Sequence, residues 1–418
     1  MIPRGLLTVI MKQLIVALLL IPIFSPAQNK EKYAAYLFTY FTGNRGSEEA
    51  IRFAISSDGY HFRALNNNQP VLSSHTISST GGVRDPHIMR DKEGKTFYMV
   101  ATDMVSDKGW SSNRGIVLLR SSDLIHWASS VVNIQTKYPG QEKLERVWAP
   151  ETIYDDSAKK YLVYFSLKYS GEPDKICYAY VNPGFTDLES EPRQLFYSPD
   201  NAACIDGDIV GKGGRYFLFF KTEDRQPGIK IAVSDHLTGG YQLESKDYVQ
   251  QTKDPVEGAC VFRLNDGSGY ILMYDMYMSG RFQFTKTTDL KNFKVMDEYV
   301  DMNFQPRHGT VMPITSVEGS RLASEWLSPA ASLLSPLNKV LLDKMTAYDT
   351  ASEVLTLRVP RGTDLHKFDP QFAKYPGVTI TPGKAQDFTK GAVSYTIRIG
   401  HREKTYSVII RETGDLPL

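Results

Sequence analysis

The chain reads as all-β, a five-bladed β-propeller followed by a small C-terminal β-sandwich, and three observations lead there. Tyr 24 and Phe 20 with Gly 31 and Pro 22 in 418 residues favour strands joined by many tight turns. Aromatic and β-branched runs recur at 33–41, 97–103, 161–166, 216–220 and 270–274, roughly every 55 to 65 residues. A polar phrase then closes most units, as in Ser56-Ser57-Asp58-Gly59-Tyr60, Ser121-Ser122-Asp123 and Thr287-Thr288-Asp289, with Ser234-Asp235 a weaker copy. A polar turn followed by an aromatic that packs back on the sheet makes each unit a four-stranded blade. An all-strand repeat of this size closes into a ring because closure protects the sheet edges.

The elements follow in order. Residues 1–27 read as a signal peptide: Arg4 and Lys12 form the positive region, residues 14–24 the apolar stretch, and Ser25-Pro26-Ala27 the small-residue cleavage site. The apolar run is shorter than the roughly 20 residues a membrane span needs. Export to the periplasm or the medium follows, with no membrane span left after cleavage. Residues 30–325 are the propeller. Its innermost strands are the short segments at 84–88, 148–153, 205–210, 256–261 and 307–311, four of which precede an aromatic run. The first run, at 33–41, lacks such a segment and the last segment lacks a run. Residues 33–65 therefore supply the outer strands of the blade whose inner strand is 307–313, latching the ring with both ends of the domain. Residues 326–345 form a linker with a short apolar helix at 333–345. Alternation resumes at 354–359, 377–381, 392–399 and 406–410, so residues 346–418 form the sandwich.

Charge narrows the partners. Lys+Arg 48 against Asp+Glu 47 gives a formal charge of +1, which points away from nucleic acid and anionic membranes and toward a neutral substrate. Cys177, Cys204 and Cys260 contain no Cys-x-x-Cys pair, so neither a disulfide framework nor a zinc site is written here. The chain is expected to act as a monomer.

In a propeller the inner strands converge on the axis, so side chains far apart in sequence share one pocket. One acid from each of four successive inner strands gives Asp85, Glu151, Asp206 and Glu257, with His308 on the fifth. Singly these have bland readings: Asp85-Pro86 opens turns, Glu151 ends a strand, Asp206 or Asp208 bonds backbone, Trp148 packs, and His308 is a core histidine. Four acids at an axis are costly unless used. Paired carboxyls with a tryptophan and no Gly-x-Ser-x-Gly, P-loop or His-Glu-x-x-His suit glycoside hydrolysis, which needs one protonated and one ionised carboxyl.

Arg84-Asp85-Pro86-His87-Ile88, Trp148-Ala149-Pro150-Glu151, Ile205-Asp206-Gly207-Asp208 and Glu257-Gly258 resemble, in order and blade position, glycoside hydrolase family 43. The resemblance covers about residues 30–325. It implies a five-bladed propeller that cleaves arabinosides or xylosides with inversion. Asp85 is then the general base, Asp206 the acid that tunes and orients the proton donor, and Glu257 the general acid. Trp148 and Glu151 shape the sugar subsite together with Arg84, Arg307 and His308. His308 also resembles an axial histidine found beside calcium or another cation, so a structural calcium ion near the axis is expected, with no cofactor required for the chemistry. Arg84-Asp85-Pro86 also resembles the Arg-Asp-Pro of retaining fructan-cleaving families, but no Asn-Asp-Pro stands upstream. The implied substrate is an oligosaccharide or polysaccharide bearing terminal α-L-arabinofuranosyl units. β-Xylosidase, galactan-acting exo-glycosidase and noncatalytic carbohydrate-binding propeller are the alternatives. Loops at 107–114 and 170–175 are placed to wall the pocket for exo cleavage.

Overall fold

A computed structural model describes residues 33–413 apart from 224–225, 334–346, 350–352 and 373. The expected signal peptide and nearly all of the helix at 333–345 lie outside the described residues. Strands dominate, and those between Tyr33 and Thr315 fall into five sheets. Blade one runs from Val83–Arg90 through Phe97–Asp103 and Gly115–Ser121 to Ala128–Asn133, each strand antiparallel to the next. Blades two, three and four repeat this meander from Leu144–Asp155, Cys204–Lys212 and Glu257–Arg263. In blade five the inner strand Gly309–Thr315 pairs with Tyr33–Tyr40, which leads outward to Arg52–Ser56 and His61–Ala64. Each innermost strand packs against that of the next blade, and the fifth against the first, so the ring is closed by the two ends of the domain.

The polar phrases make the turns expected of them. Ser56, Ser121 and Thr287 accept hydrogen bonds from backbone N–H groups two and three residues on, and Asp58, Asp123 and Asp289 do the same. The residue after each Asp takes a left-handed backbone, with φ of 85° at Gly59, 69° at Leu124 and 64° at Leu290. The side-chain bonds hold Leu124 and Leu290 there although a Cβ disfavours it.

After the last inner strand the chain forms a helix, Ser316–Trp326, inside the span expected to be all strand and turn. Thr315 and Glu318 build a capping box at its start. Glu318 also takes a bidentate ion pair from Arg90 of blade one, which fastens the helix to the ring. Its Leu322 and Ala323, with Leu327 just past its end, join the core of blades five and one to Leu355, Leu357 and Ile397 of the C-terminal module. In that module the described strands form one five-stranded sheet. The second layer of the expected sandwich is irregular chain carrying Phe368, Phe372 and Phe388, which pack with Tyr395. Among the described residues no helix is long and apolar enough to cross a membrane.

Candidate active site

The inner strands of blades one to four share one irregularity, and it builds the site. Their register against the second strand slips between Arg84 and His87, Trp148 and Glu151, Ile205 and Asp208, and Glu257 and Cys260. At each slip one residue adopts positive φ: Asp85 at 49°, Ala149 at 44°, Asp206 at 53° and Gly258 at 60°. These are β-bulges, which re-aim the side chains around them. The bulge sorts the axial residues into two tiers. Arg84, Trp148, Ile205 and Glu257, which precede the bulge residue, line an open pocket together with Asp85, Asp206 and His308. His87, Glu151, Asp208 and Cys260, two residues after it, lie deeper on the axis.

A second regularity couples neighbouring blades. Arg84, Trp148, Ile205 and Glu257 pair across the strand with Thr102, Ser166, Lys221 and Asp275. Each of those polar residues bonds the inner strand of the following blade. Thr102 accepts from Ala149 N–H at 2.9 Å and Ser166 from Asp206 N–H at 3.3 Å. Lys221 donates to Glu257 at 3.2 Å, and Asp275 accepts from Arg307 Nε at 2.5 Å.

The pocket has a cavity of about 60 Å³ whose walls are Arg84, Asp85, Met104, Trp110, Trp148, Ile205, Asp206, Glu257 and His308. Asp85 Oδ2 accepts from Thr102 Oγ1 at 2.8 Å, and Oδ1 lies 3.5 Å from His308 Nδ1. Burial alone would raise the Asp85 carboxyl, but the bond and charge of His308, then Arg84 and Thr102, overcome it and leave the group below its usual range. His308 is the counterpart: burial opposes its charge, yet Asp85, Asp206 and Glu257 lift it to about 9. Asp206 accepts from Gly258 N–H at 3.2 Å. Its burial, reinforced by Glu257 and Asp85 against the pull of His308 and Lys221, raises it to about 6. Glu257 Oε1 accepts from Arg307 Nη2 at 3.0 Å while Oε2 faces Lys221. Arg84 pairs with buried Glu49 at 3.0 Å and lies against Phe41 and Trp110. Arg146, bidentate to Asp174, covers the Trp148 ring at 3.7 Å.

A larger cavity of about 590 Å³ adjoins this pocket and shares Arg84, Trp110, Trp148, Ile205 and Glu257 with it. Lys221, Glu223, Tyr277, Met278 and Arg307 are among its other walls. Asp85, Asp206 and His308 line the inner pocket alone, Arg307 the outer cavity alone, and Glu257 both.

Glu151 requires a correction. It lines neither cavity, being 2% exposed on the deeper tier, where its Oε2 accepts from Tyr164 Oη at 2.5 Å. Burial, with Asp208 adding to it, raises its carboxyl well above the usual value. Burial and the charge of His308 push neighbouring His87 down to about 3, and its Nε2 lies 3.9 Å from Glu151 Oε2. The axial acids are thus not equivalent: Asp85 and Asp206 are bulge residues, Glu257 precedes a bulge and Glu151 follows one. His308 does not fit a directly bound calcium ion. Calcium takes six to eight oxygens, and an imidazole offers only ring nitrogens. Among the described residues no three His, Cys, Asp or Glu side chains converge to hold a metal. Thr102, Trp110, Arg146, Lys221 and Asp275 were not singled out from the sequence. Trp110 does fall in the 107–114 loop and Asp174 in the 170–175 loop, both expected to wall the pocket.

A propeller whose axial pocket gathers carboxyls, arginine and tryptophan is the framework of a glycoside hydrolase. The chain belongs to glycoside hydrolase family 43, in the related group whose family model, described as a probable glycosyl hydrolase domain, matches residues 31–320. A second family model, described as the N-terminal part of SGBP, matches residues 341–410. A curated relative, an α-L-arabinofuranosidase of Bifidobacterium longum subsp. longum, is 27% identical over 316 residues, 61% of this chain and 28% of the relative. The chain thus spans little more than a quarter of that protein. Among solved structures, a thermostable family 43 glycoside hydrolase is 13% identical with a TM-score of 0.48, covering 63% of this chain and 89% of its own. A xylan β-1,4-xylosidase of Bacillus halodurans is 14% identical with a TM-score of 0.46, covering 66% and 55%.

Proposed function

We propose that the chain is an exported, exo-acting, inverting glycoside hydrolase that releases terminal α-L-arabinofuranosyl units from oligosaccharides or polysaccharides. The observation that carries this reading is the division of the site. Glu257 stands where the small inner pocket meets the outer cavity, while Asp85 lines the inner pocket alone. With the terminal sugar in the inner pocket and the leaving group in the outer cavity, Glu257 borders the scissile oxygen. Asp85 lies on the sugar's side, where an inverting reaction needs its base.

The charges around Asp85 suit its role. Asp85, kept ionised by His308, Arg84 and Thr102, takes a proton from the attacking water as its oxygen bonds to the anomeric carbon. Glu257 gives its proton to the departing oxygen. Asp206, raised to about 6 chiefly by its burial, stands beside Glu257 as the neighbouring carboxyl, and the charge of His308 acts on it from the other side. Arg307 and Lys221 hold the Glu257 carboxyl at the boundary, and both are tied back to Asp275 and Glu223. Trp148, braced by Arg146, supplies an aromatic wall for the sugar.

The test is hydrolysis of aryl α-L-arabinofuranoside, β-D-xyloside, β-D-galactoside and β-D-galactofuranoside by the full chain, with proton NMR of the first anomer released. One sugar is expected to turn over with inversion. Asp85→Asn and Glu257→Gln are each expected to lose ~10²-fold or more on an unactivated substrate. Turnover within a few-fold of wild type in either variant contradicts the assignment.

A further inference from the structure

A third cavity, of about 480 Å³, lies on the C-terminal module and falls within the ~300–1,000 Å³ range of small-molecule sites. It opens between the end strand of the module's sheet, Val378–Thr381, and the irregular segment 369–374. Its walls mix two chemistries. Phe372, Ile380 and Pro382 are apolar, while Asp369, Gln371 and Lys374 are exposed and polar. Tyr395 joins them, and it is the informative member. It is 1% exposed, and its Oη has no hydrogen-bond partner among the described residues. The Phe372 ring stands edge-on to it at 5.3 Å and the Phe388 ring lies nearly parallel at 6.5 Å, so the phenol is clamped. Burial, then the Asp369 carboxylate, raises its hydroxyl to about 12, which leaves it a donor at neutral pH. A buried hydroxyl is nearly always paired in a folded protein, so an unpaired one on a cavity wall is a donor held for a ligand's oxygen. The cavity is also fixed to the ring. Between its two walls the chain passes so close to the helix Ser316–Trp326 that a Cβ built on Gly377 would stand 2.8 Å from Ser320 Cα, and one on Gly319 2.8 Å from Pro376 Cγ. Arg402 of the same sheet donates to the Ala323 and Ser324 carbonyls at 2.9 Å.

We propose that this cavity is a second carbohydrate site, which holds a sugar ring of a polysaccharide chain apart from the axial pocket. A sugar is apolar on its C–H faces and polar around its edge, which matches both kinds of wall. Its face packs on Phe372, Ile380 and Pro382, one of its oxygens accepts from Tyr395 Oη, and Asp369 and Gln371 take outward hydroxyls. A wholly apolar ligand would leave the Tyr395 hydroxyl unpaired, and a strongly charged one would meet Asp369 and Lys374 together. Because the module is seated on the helix that follows the last inner strand, a chain bound here is held at a fixed place relative to the ring. The choice of a sugar rests on the hydrolase reading above, whereas the cavity and its unpaired donor do not.

The test is retardation of the full chain in native gels cast with soluble arabinan, arabinoxylan or galactan, in a Glu257→Gln background so that the polymer is not consumed during the run. Tyr395→Phe removes one oxygen, and Asp369→Asn keeps an acceptor for the Gln371 N–H. At least one polymer is expected to retard the protein, and the apparent Kd is expected to rise about fivefold in each variant, the loss of one hydrogen bond. Placed singly in the wild-type chain, both substitutions are expected to leave melting and aryl glycoside turnover unchanged, since neither residue lines an axial cavity. Unchanged retardation in either folded variant, or no retardation by any of the three polymers, overturns the site. Retardation that weakens in both variants, with no aryl glycoside turnover by wild type, supports the site and overturns the hydrolase reading alone.

Discussion

Gly258→Ala tests how tightly the bulges set the site. Gly258 is the bulge residue of blade four, at φ +60°, and its N–H donates to Asp206 at 3.2 Å. A Cβ built there would stand 2.6 Å from His308 Cγ, 2.7 Å from Cδ2 and 2.9 Å from Cβ. These are rigid ring and stem atoms of a buried side chain, so the contact cannot be relieved by swinging a flexible tip. Left-handed backbone costs an alanine ~1–2 kcal/mol, and forcing the ring aside adds ~1–3 kcal/mol of overpacking. The combined loss is about 2–5 kcal/mol, a large share of a domain's stability. Gly94→Ala is the matched control, since Gly94 has φ +74° but nothing within 4 Å of an added Cβ, and it bears the backbone cost alone. Urea unfolding of both variants separates the two contributions, and kcat/KM on an aryl glycoside reports the site. Gly258→Ala is expected to be the less stable by the overpacking difference. It is also expected to lose activity, because His308 must shift from its place beside Asp85. If it unfolds at the same urea concentration as Gly94→Ala and retains wild-type turnover, the contact between blade four and His308 does not shape the site.

Two titrations follow from the same geometry. His308 is raised from 6.5 to about 9, so its ion pair with Asp85 contributes stability that is fully present below about pH 6.5 and lost as pH rises through about 9. Thermal unfolding of wild type is expected to show that decline, at most about 3 kcal/mol, and His308→Gln is expected to lack it. A wild-type melting profile parallel to that of His308→Gln from pH 6 to 9.5 contradicts the pairing. For Asp208 stability again falls as pH rises, here because burial penalises the charged form. Burial raises its carboxyl from 3.8 to about 7 despite the Val261 N–H, so ionisation costs stability progressively between those values. Asp208→Asn keeps an acceptor for Val261, so it is expected to be more stable than wild type at pH 8, by a few kcal/mol at most, with the gap closing near pH 4. A constant gap across that range means that Asp208 does not titrate there.

The repeat made the ring legible. Four of the five inner segments precede an aromatic run, and the one run without a segment pairs with the one segment without a run, as Tyr33–Tyr40 and Gly309–Thr315 do. The tier of each axial side chain was harder to read. Strand side chains alternate faces, so one extra residue at a bulge re-aims everything beyond it. Choosing one acid per segment therefore equated Glu151 with Asp85. The prolines carry the correction: Pro86 and Pro150 follow equivalent bulge residues, which sets Ala149 opposite Asp85 and Glu151 opposite His87. The helix Ser316–Trp326 was also written in the sequence, as Thr315 with Glu318 three residues on, but its low apolar content hid it. Trp110 and Met278 had no such signal, since loop residues obey no period.

The residues that close each aromatic run carry the remaining lesson. Thr102, Ser166, Lys221 and Asp275 interrupt apolar strands at the same cross-strand position, and each bonds the inner strand of the next blade. A polar side chain ending a buried strand needs a partner, and here the partner is the neighbour's bulge region in blades two to four and Arg307, just before the inner strand, in blade five. The positions of Asp206 and Glu257 are consequently set by the blade before each and not only by its own. The series ends at Arg307, whose N–H donates to Phe41 O at 2.7 Å, just beyond the first described strand. The cation facing Glu257 is therefore fixed from both sides, by Asp275 of blade four and by the segment that latches the ring.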